Sequence, residues 1–199
     1  ALLWQARRFA RDRGAPAPDA ALVNGGALRS NRLVPAGPLT ERDTHDLLPF
    51  PSFVVIAESV PPAALKRLLE NAFAQVESGS GRFPQVAGLK IRWDSQTTPQ
   101  VVGLDGEVVT AGARVQRVEL ADGTVLIDGG APVGQRSIAL ATLDFLARGG
   151  DGYVIPPPLR PTGVSYQQAV RDYVAGALEG HVRAARYPAG GMSRIERIR

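Results

Sequence analysis

Two glycine turns carry polar groups suited to holding a small molecule. In Asn24-Gly25-Gly26-Ala27-Leu28-Arg29 an amide ends an apolar run and a guanidinium follows, across glycines that let the backbone come close to a ligand. In Gly149-Gly150-Asp151-Gly152-Tyr153 a carboxylate is set among glycines. Ionised, it only accepts hydrogen bonds and can take two from a vicinal diol. Each turn alone reads more plainly as a tight strand-to-loop connection. Three phenylalanines stand close to these turns: Phe50 between Pro49 and Pro51, Phe53, and Phe145 just before the second turn. A single phenylalanine is ordinarily core packing, but flanking prolines imply an irregular loop from which the Phe50 ring can project. Two rings at loop edges, an arginine and a diol-binding carboxylate suit a planar base joined to ribose and phosphate.

Other chemistries are poorly supplied. The two histidines, His45 and His181, both fall in segments that read as helices, and neither has the spacing of a metal or nucleophile motif. There is no H-E-x-x-H, G-x-S-x-G or P-loop pattern. Zero cysteines exclude disulfides, thiolate catalysis and cysteine-ligated zinc. Two histidines also argue against a dinuclear metal site in this chain. The net charge of +4 favours anionic ligands only weakly. Arginines are scattered, apart from Arg7, Arg8, Arg11 and Arg13 near one end and Arg194, Arg197 and Arg199 near the other. These clusters read as solvated helix faces, and no nucleic-acid partner is expected.

The elements that must position these residues follow from apolar spacing. Leu2 to Arg13 has a helical period and is stopped by "GAPAP"; with no N-cap before it, the helix reads as continuing upstream, in a longer protein. "DAALVNGG" reads as a buried strand entering a turn, and "LTERDTHDLL" as a helix with Thr40 as N-cap and Asp43 completing a capping box. "SFVVIAESV" is the clearest strand. "PPAALKRLLENAFAQV" is the clearest helix, with Leu65, Leu68, Leu69, Ala72, Phe73 and Val76 on one face. "QVAGLKIRWD" alternates like one half-buried strand, and "RSIALATLDF" reads as another strand. From Val101 to Asp128, strands alternate with turns, and the Asp-Gly pairs at Asp105 and Asp122 mark hairpins. Tyr166 to Leu178 reads as a helix. The sum is an α+β fold with helices covering mixed sheets. The 199 residues, 44% hydrophobic and 21% charged, suit one globular domain. No apolar run approaches the roughly 20 residues of a transmembrane helix, and "ALLWQARRFARDRG" lacks the order of a signal peptide.

"ALVNGGALR", "LTERDTHDLLPFPS", "LKRLLENA", "FPQVAGLKIRWD" and "DFLARGGDGY" occur in this order and at fitting distances. Together they resemble the C-terminal domain of the 5'-nucleotidase family, which includes UDP-sugar hydrolases and 2',3'-cyclic nucleotide phosphodiesterases. The resemblance runs from about Leu2 to Ile198. It implies a four-layer α/β/β/α arrangement with mixed sheets flanked by helices, over residues 1–199. It also implies a separate N-terminal metallophosphatase domain in cis, holding a divalent metal pair that hydrolyses the phosphate ester, while this domain binds the nucleoside and carries it to the metals. No cofactor is then expected in this chain, which should bind without hydrolysing. The family's periplasmic or extracellular setting is implied as well.

Carried over by position, Phe50 and Phe145 would sandwich the base and Asp151 would accept hydrogen bonds from the ribose hydroxyls. Asn24 and Arg29 would contact the base edge and the ribose-phosphate side, and Gly88 would lie near the base. There are departures. Leu28 stands for another aliphatic residue in the family's "NGGGIR", a mild change. In "LPFPS", Pro51 and Ser52 stand for the glycine and asparagine of "LPFGN", which weakens or removes a polar contact to the base. The family's glycine- and asparagine-rich segment with a further ligand-binding arginine lies outside this sequence, and Val101 to Asp128 matches no family pattern. These departures leave a different expectation open: a structural or interaction module of the cell envelope that kept the fold.

Overall fold

The computed structural model describes residues 1–29, 34–103, 106–187 and 192–199. Helix α1 (Leu2–Arg11) buries Leu2, Leu3, Ala6, Phe9 and Ala10 and leads to strand β1 (Ala20–Asn24), which is buried throughout. Helix α2 (Glu41–Leu47) starts on the expected capping box. The Thr40 hydroxyl accepts from the Asp43 N–H, and the Asp43 carboxylate accepts from the Thr40 N–H at 2.7 Å. Strand β2 (Phe53–Val60) turns into α3 (Pro62–Phe73), whose first-turn prolines occupy positions that need no N–H donor. Then follow β3 (Pro84–Ala87), β4 (Leu89–Trp93), β5 (Val101–Val102), β6 (Val108–Thr110), β7 (Val115–Leu120), β8 (Val125–Asp128), β9 (Ala131–Pro132) and β10 (Ile138–Leu143). A short helix α4 (Asp144–Ala147), strand β11 (Leu159–Ser165), helix α5 (Tyr166–Asp172) with a π-helical continuation over Tyr173–Ala177, and β12 (Ile195–Arg197) complete the chain.

Two mixed five-stranded sheets result, ordered β11-β2-β10-β1-β3 and β12-β4-β7-β8-β9, with a small β5-β6 ribbon. Alternation along β1 sends Ala20 and Leu22 to one face and Ala21 and Val23 to the other. The second face packs against α1 and α5 through Leu3, Phe9, Tyr166 and Ala169. The first packs on Leu65, Leu68, Leu69 and Phe73 of α3, which share one core with Leu89, Ile91, Val118 and Ile127 of the second sheet. Each fully buried leucine here contributes about 1.5–3 kcal/mol. The fold is thus the expected α+β class, mixed sheets flanked by helices. Helix α3 touches β3 of the first sheet and β7, β8 and β9 of the second, and so lies between the sheets.

Four local readings also change. "QVAGLKIRWD" is not one strand. It breaks at Gly88, and its halves join different sheets. The strand in "RSIALATLDF" ends at Leu143, so Phe145 sits on helix α4. His181 lies beyond the helix that was expected to hold it, after Glu179 and Gly180 turn left-handed and end it. Arg197 belongs to strand β12, not to a helix face. The Asp122 hairpin joins β7 to β8 as expected, whereas Asp105 lies outside the described residues.

Strand β1 runs parallel to β10 and antiparallel to β3, and β10 runs antiparallel to β2. The C-terminal ends of β1 and β10, the start of β2 and the loop before β3 therefore meet at one end of the first sheet.

Candidate functional site

Asn24 ends β1 at that sheet end. The next two residues, Gly25 and Gly26, donate backbone hydrogen bonds to Phe83 O (2.7 Å) and Gly81 O (2.8 Å). The approach is tight: a Cβ on Gly26 would lie 3.2 Å from Gly81 Cα, so the facing backbone would have to give by a few tenths of an ångström. Arg29 follows, its N–H bonded to Leu47 O at 2.8 Å and its guanidinium carbon 5.2 Å from the centre of the Phe50 ring, within cation–π range. The Phe50 loop is held from behind by Gln167 of α5, whose amide donates to Phe50 O (2.9 Å) and to Leu48 O. Ser52 is buried, and its carbonyl accepts from the Tyr166 N–H at 2.8 Å.

Phe145 reaches the same end from α4. The residue before it, Asp144, accepts from the Phe53 N–H at 2.9 Å and pairs with Arg148 at 2.8 Å, which ties α4 to the start of β2 beside the Phe50 loop. Both rings remain open to solvent, Phe50 at 43% and Phe145 at 41% exposure. Exposed aromatic rings, one on a loop and one on the short helix α4, offer surface to a planar ligand rather than to the core. The Phe145 ring lies directly on the Gly150 backbone, where a Cβ would come within 2.5 Å of it.

Beneath the rings is a polar network. Asp151 is left-handed at φ 52°, ψ 24°, a conformation that non-glycine residues adopt at a cost. Its Oδ2 accepts from Asn24 Nδ2 at 2.7 Å, and its main-chain oxygen accepts from Asn71 Nδ2 at 3.0 Å. Asn71 Oδ1 in turn accepts from Arg82 Nη1 at 3.1 Å, and the Tyr153 hydroxyl donates to Arg82 O at 2.7 Å. Burial, with the Asp151 charge adding to it, pushes the Tyr153 pKa far above its usual value, so the hydroxyl stays a donor. The other carboxylate oxygen of Asp151 has no protein partner among the described residues. Buried Asn24 Oδ1 and Arg82 Nε also lack one there.

The structure therefore brings Asn24, Arg29, Phe50, Phe145 and Asp151 to one sheet end. It does not bring Gly88 there. Because Ala87 pairs with Ala21 while Pro84 pairs with Asn24, Gly88 lies at the opposite end of β1. With φ 77° and a Cβ position only 2.5 Å from Asp19 O, Gly88 serves the crossing from one sheet to the other. On the segment leading into β3, the glycine at the site end is Gly81, against Gly26. Asn71, Arg82 and Gln167 went unnoticed in the sequence. Asn71 and Gln167 interrupt apolar faces of amphipathic helices, and a buried polar residue there is the signal that marks them.

Two other concavities lie elsewhere. A cleft of about 560 Å³ is lined by Val76, Glu77, Ser80, Phe83, Trp93 and Arg197, and a smaller one of about 300 Å³ by Glu41, His45, Gln168 and Arg171. Neither includes the two exposed rings or Asp151. Among the described residues no three histidine, cysteine, aspartate or glutamate side chains gather to hold a metal. The described residues thus do not fit a metal pair. No helix among the described residues is long and apolar enough to cross a membrane.

By architecture this is a domain of two mixed sheets flanked by helices. It belongs to the family described as "5'-nucleotidase, C-terminal domain", whose profile matches residues 2–156. The trifunctional nucleotide phosphoesterase protein YfkN of Bacillus subtilis (strain 168) is 27% identical over 135 residues, 68% of this chain and 8% of its own length. The crystal structure of a 5'-nucleotidase precursor from Thermus thermophilus superimposes with a TM-score of 0.71 at 29% identity, over 98% of this chain and 33% of that one. Haemophilus influenzae NAD nucleotidase (NadN) shares the fold, with a TM-score of 0.65 at 19% identity over 98% of this chain and 33% of that one. The chain spans no more than 33% of the length of these proteins.

Proposed function

We propose that residues 1–199 are the substrate-binding domain of a 5'-nucleotidase-type metallophosphoesterase. The parent protein hydrolyses nucleoside 5'-monophosphates, UDP-sugars or cyclic nucleotides to nucleoside and phosphate, with its divalent metal pair in an N-terminal domain in cis. The observation that carries this reading is the pairing of two exposed rings, Phe50 and Phe145, with Asp151 at the same sheet end. A base stacks on the rings. The ribose hydroxyls donate to the free oxygen of Asp151, and Arg29 faces the phosphate side. Nucleotide chemistry in the names of the matched relatives supports the same substrate class. A periplasmic or extracellular setting is part of the proposal.

Calorimetric titration of the chain with adenosine and AMP tests it. Stacking is worth about 1–3 kcal/mol per base, so Phe145→Ala is expected to weaken binding about tenfold or more. Equal affinity of wild type and variant would exclude the stacking role. If adenosine, AMP and UDP-glucose all leave the melting temperature unchanged at high concentration, the chain is an interaction module instead.

A further inference from the structure

Asp151 can receive a diol only if its carboxylate is presented correctly, and the residue that presents it lies 80 positions away in the chain. Asn71 sits on α3 between the two sheets and is only 2% exposed. Both ends of its amide are engaged: Nδ2 donates to Asp151 O at 3.0 Å and Oδ1 accepts from Arg82 Nη1 at 3.1 Å. It also fills the space beside the next residue, since a Cβ on left-handed Gly152 would stand 3.1 Å from Asn71 Oδ1. The left-handed turn through Asp151 and Gly152 is therefore clamped from the helix side. Asn24 clamps it from the sheet side through one carboxylate oxygen, and the second oxygen is left for a ligand.

We propose that Asn71 is a positioning residue for the Asp151 carboxylate, and that with Arg82 it sets selectivity for a ligand bearing a vicinal diol without touching that ligand. The inference rests on the nucleoside-binding reading above. Arg82 acts one step further back: it fixes which way round the Asn71 amide lies, so that the N–H faces the Asp151 carbonyl. An aspartate at position 71 keeps the size and the Arg82 pairing but replaces the donor to Asp151 O with a second acceptor. The turn then loses its clamp, whereas the Phe50 and Phe145 rings, which Asn71 does not contact, keep their stacking surface.

The test uses adenosine and 2'-deoxyadenosine as probes in calorimetric titrations of wild type, Asn71→Asp and Arg82→Met. Wild type should prefer adenosine by about tenfold, the effect of leaving a carboxylate hydrogen bond unmade. Asn71→Asp should bring the two ligands to within about threefold, because adenosine loses more affinity than 2'-deoxyadenosine, which has only its 3'-hydroxyl to donate to Asp151. Arg82→Met, at a half-buried site, should move the ratio the same way by less. If both nucleosides weaken equally in the variants, or if the ratio stays as in wild type, the proposal is overturned. A ligand-free readout separates this from failure of the nucleoside reading: the three-bond HN–Hα coupling and the Cα and Cβ shifts of Asp151 report its left-handed conformation. If wild type binds neither nucleoside but Asn71→Asp or Arg82→Met shifts those signals, Asn71 still positions Asp151 and only the nucleoside reading falls. Unchanged Asp151 signals in both variants would overturn the positioning role whatever the ligand.

Discussion

Gly150→Ala should separate binding from stability more cleanly than removal of any binding side chain. A Cβ at Gly150 would stand 2.5 Å from two atoms of the Phe145 ring and 2.6 Å from a third. Ordinary carbon contacts are about 3.5–4.0 Å, so the ring must retreat by about 1 Å or more. The backbone does not resist the change. Gly150 is not among the positive-φ glycines, so alanine suffers no backbone strain there. Phe145 is 41% exposed, so it can swing outward without opening the core. Replacing glycine by alanine at such a position adds about 0.4–1 kcal/mol of stability through the unfolded chain. The cost of moving Phe145 offsets part of that gain, and for a domain of this size the melting temperature should move by less than about 4 °C. Binding should suffer much more. Loss of one stacking partner removes about 1–3 kcal/mol, which corresponds to a fall in adenosine affinity of about 5- to 150-fold. Parallel calorimetry and thermal denaturation measure the two effects. Unchanged affinity, with the ring shown to have moved, would refute the argument that the Phe145 platform holds the base. A large loss of stability would refute the argument that the ring is free to swing.

Two further predictions concern the scaffold. Glu70 is 2% exposed, and its carboxylate accepts from the Lys66 ammonium and from the N–H groups of Arg114 (3.0 Å) and Val115 (2.8 Å). Glu70→Gln leaves Lys66 uncompensated and turns an amide donor toward backbone donors, so it should cost about 3–5 kcal/mol in urea unfolding; a cost below about 1 kcal/mol would show that the carboxylate is not holding the start of β7. Stability should also decline in alkali. Burial raises the Tyr166 pKa from 10.0 to about 12 and pushes that of Tyr153 up further. The unfolded chain releases these protons near pH 10 while the folded chain keeps them. The contribution is therefore complete below pH 10 and is lost as the pH rises through about 12 for Tyr166. Urea midpoints should hold steady from pH 7 to about 9.5 and fall above 10, less steeply in Tyr153→Phe. A flat profile to pH 12 would contradict the burial argument.

Local patterning made much of the scaffold legible. The apolar stripe of α3 and the Thr40–Asp43 capping box announced their helices because both depend on residues three or four apart. The Asp122 hairpin was equally local. Gly88 was misread because each half alternates by itself: Pro84 and Val86 are buried before it and Leu89, Ile91 and Trp93 after it, and the shift of phase at Gly88 marks the change of sheet. A glycine inside a strand pattern was the available warning. At the site, Asn24, Arg29, Phe50, Phe145 and Asp151 stood out through their turn and loop contexts. Asn71, Arg82 and Gln167 act on partners 80, 11 and 117 residues away, at distances that only the packed sheets and helices bring together.

The central claim is that one end of the first sheet receives a nucleoside. Titrating ¹⁵N-labelled protein with adenosine and following the backbone amide signals tests it most directly. Shifts are expected at Gly25, Arg29, Phe50, Phe145, Asp151 and Gly81, with Gly88 and the cleft beside Trp93 and Arg197 unaffected. Shifts centred on Gly88 or on that cleft, or no shifts at millimolar adenosine, would contradict it.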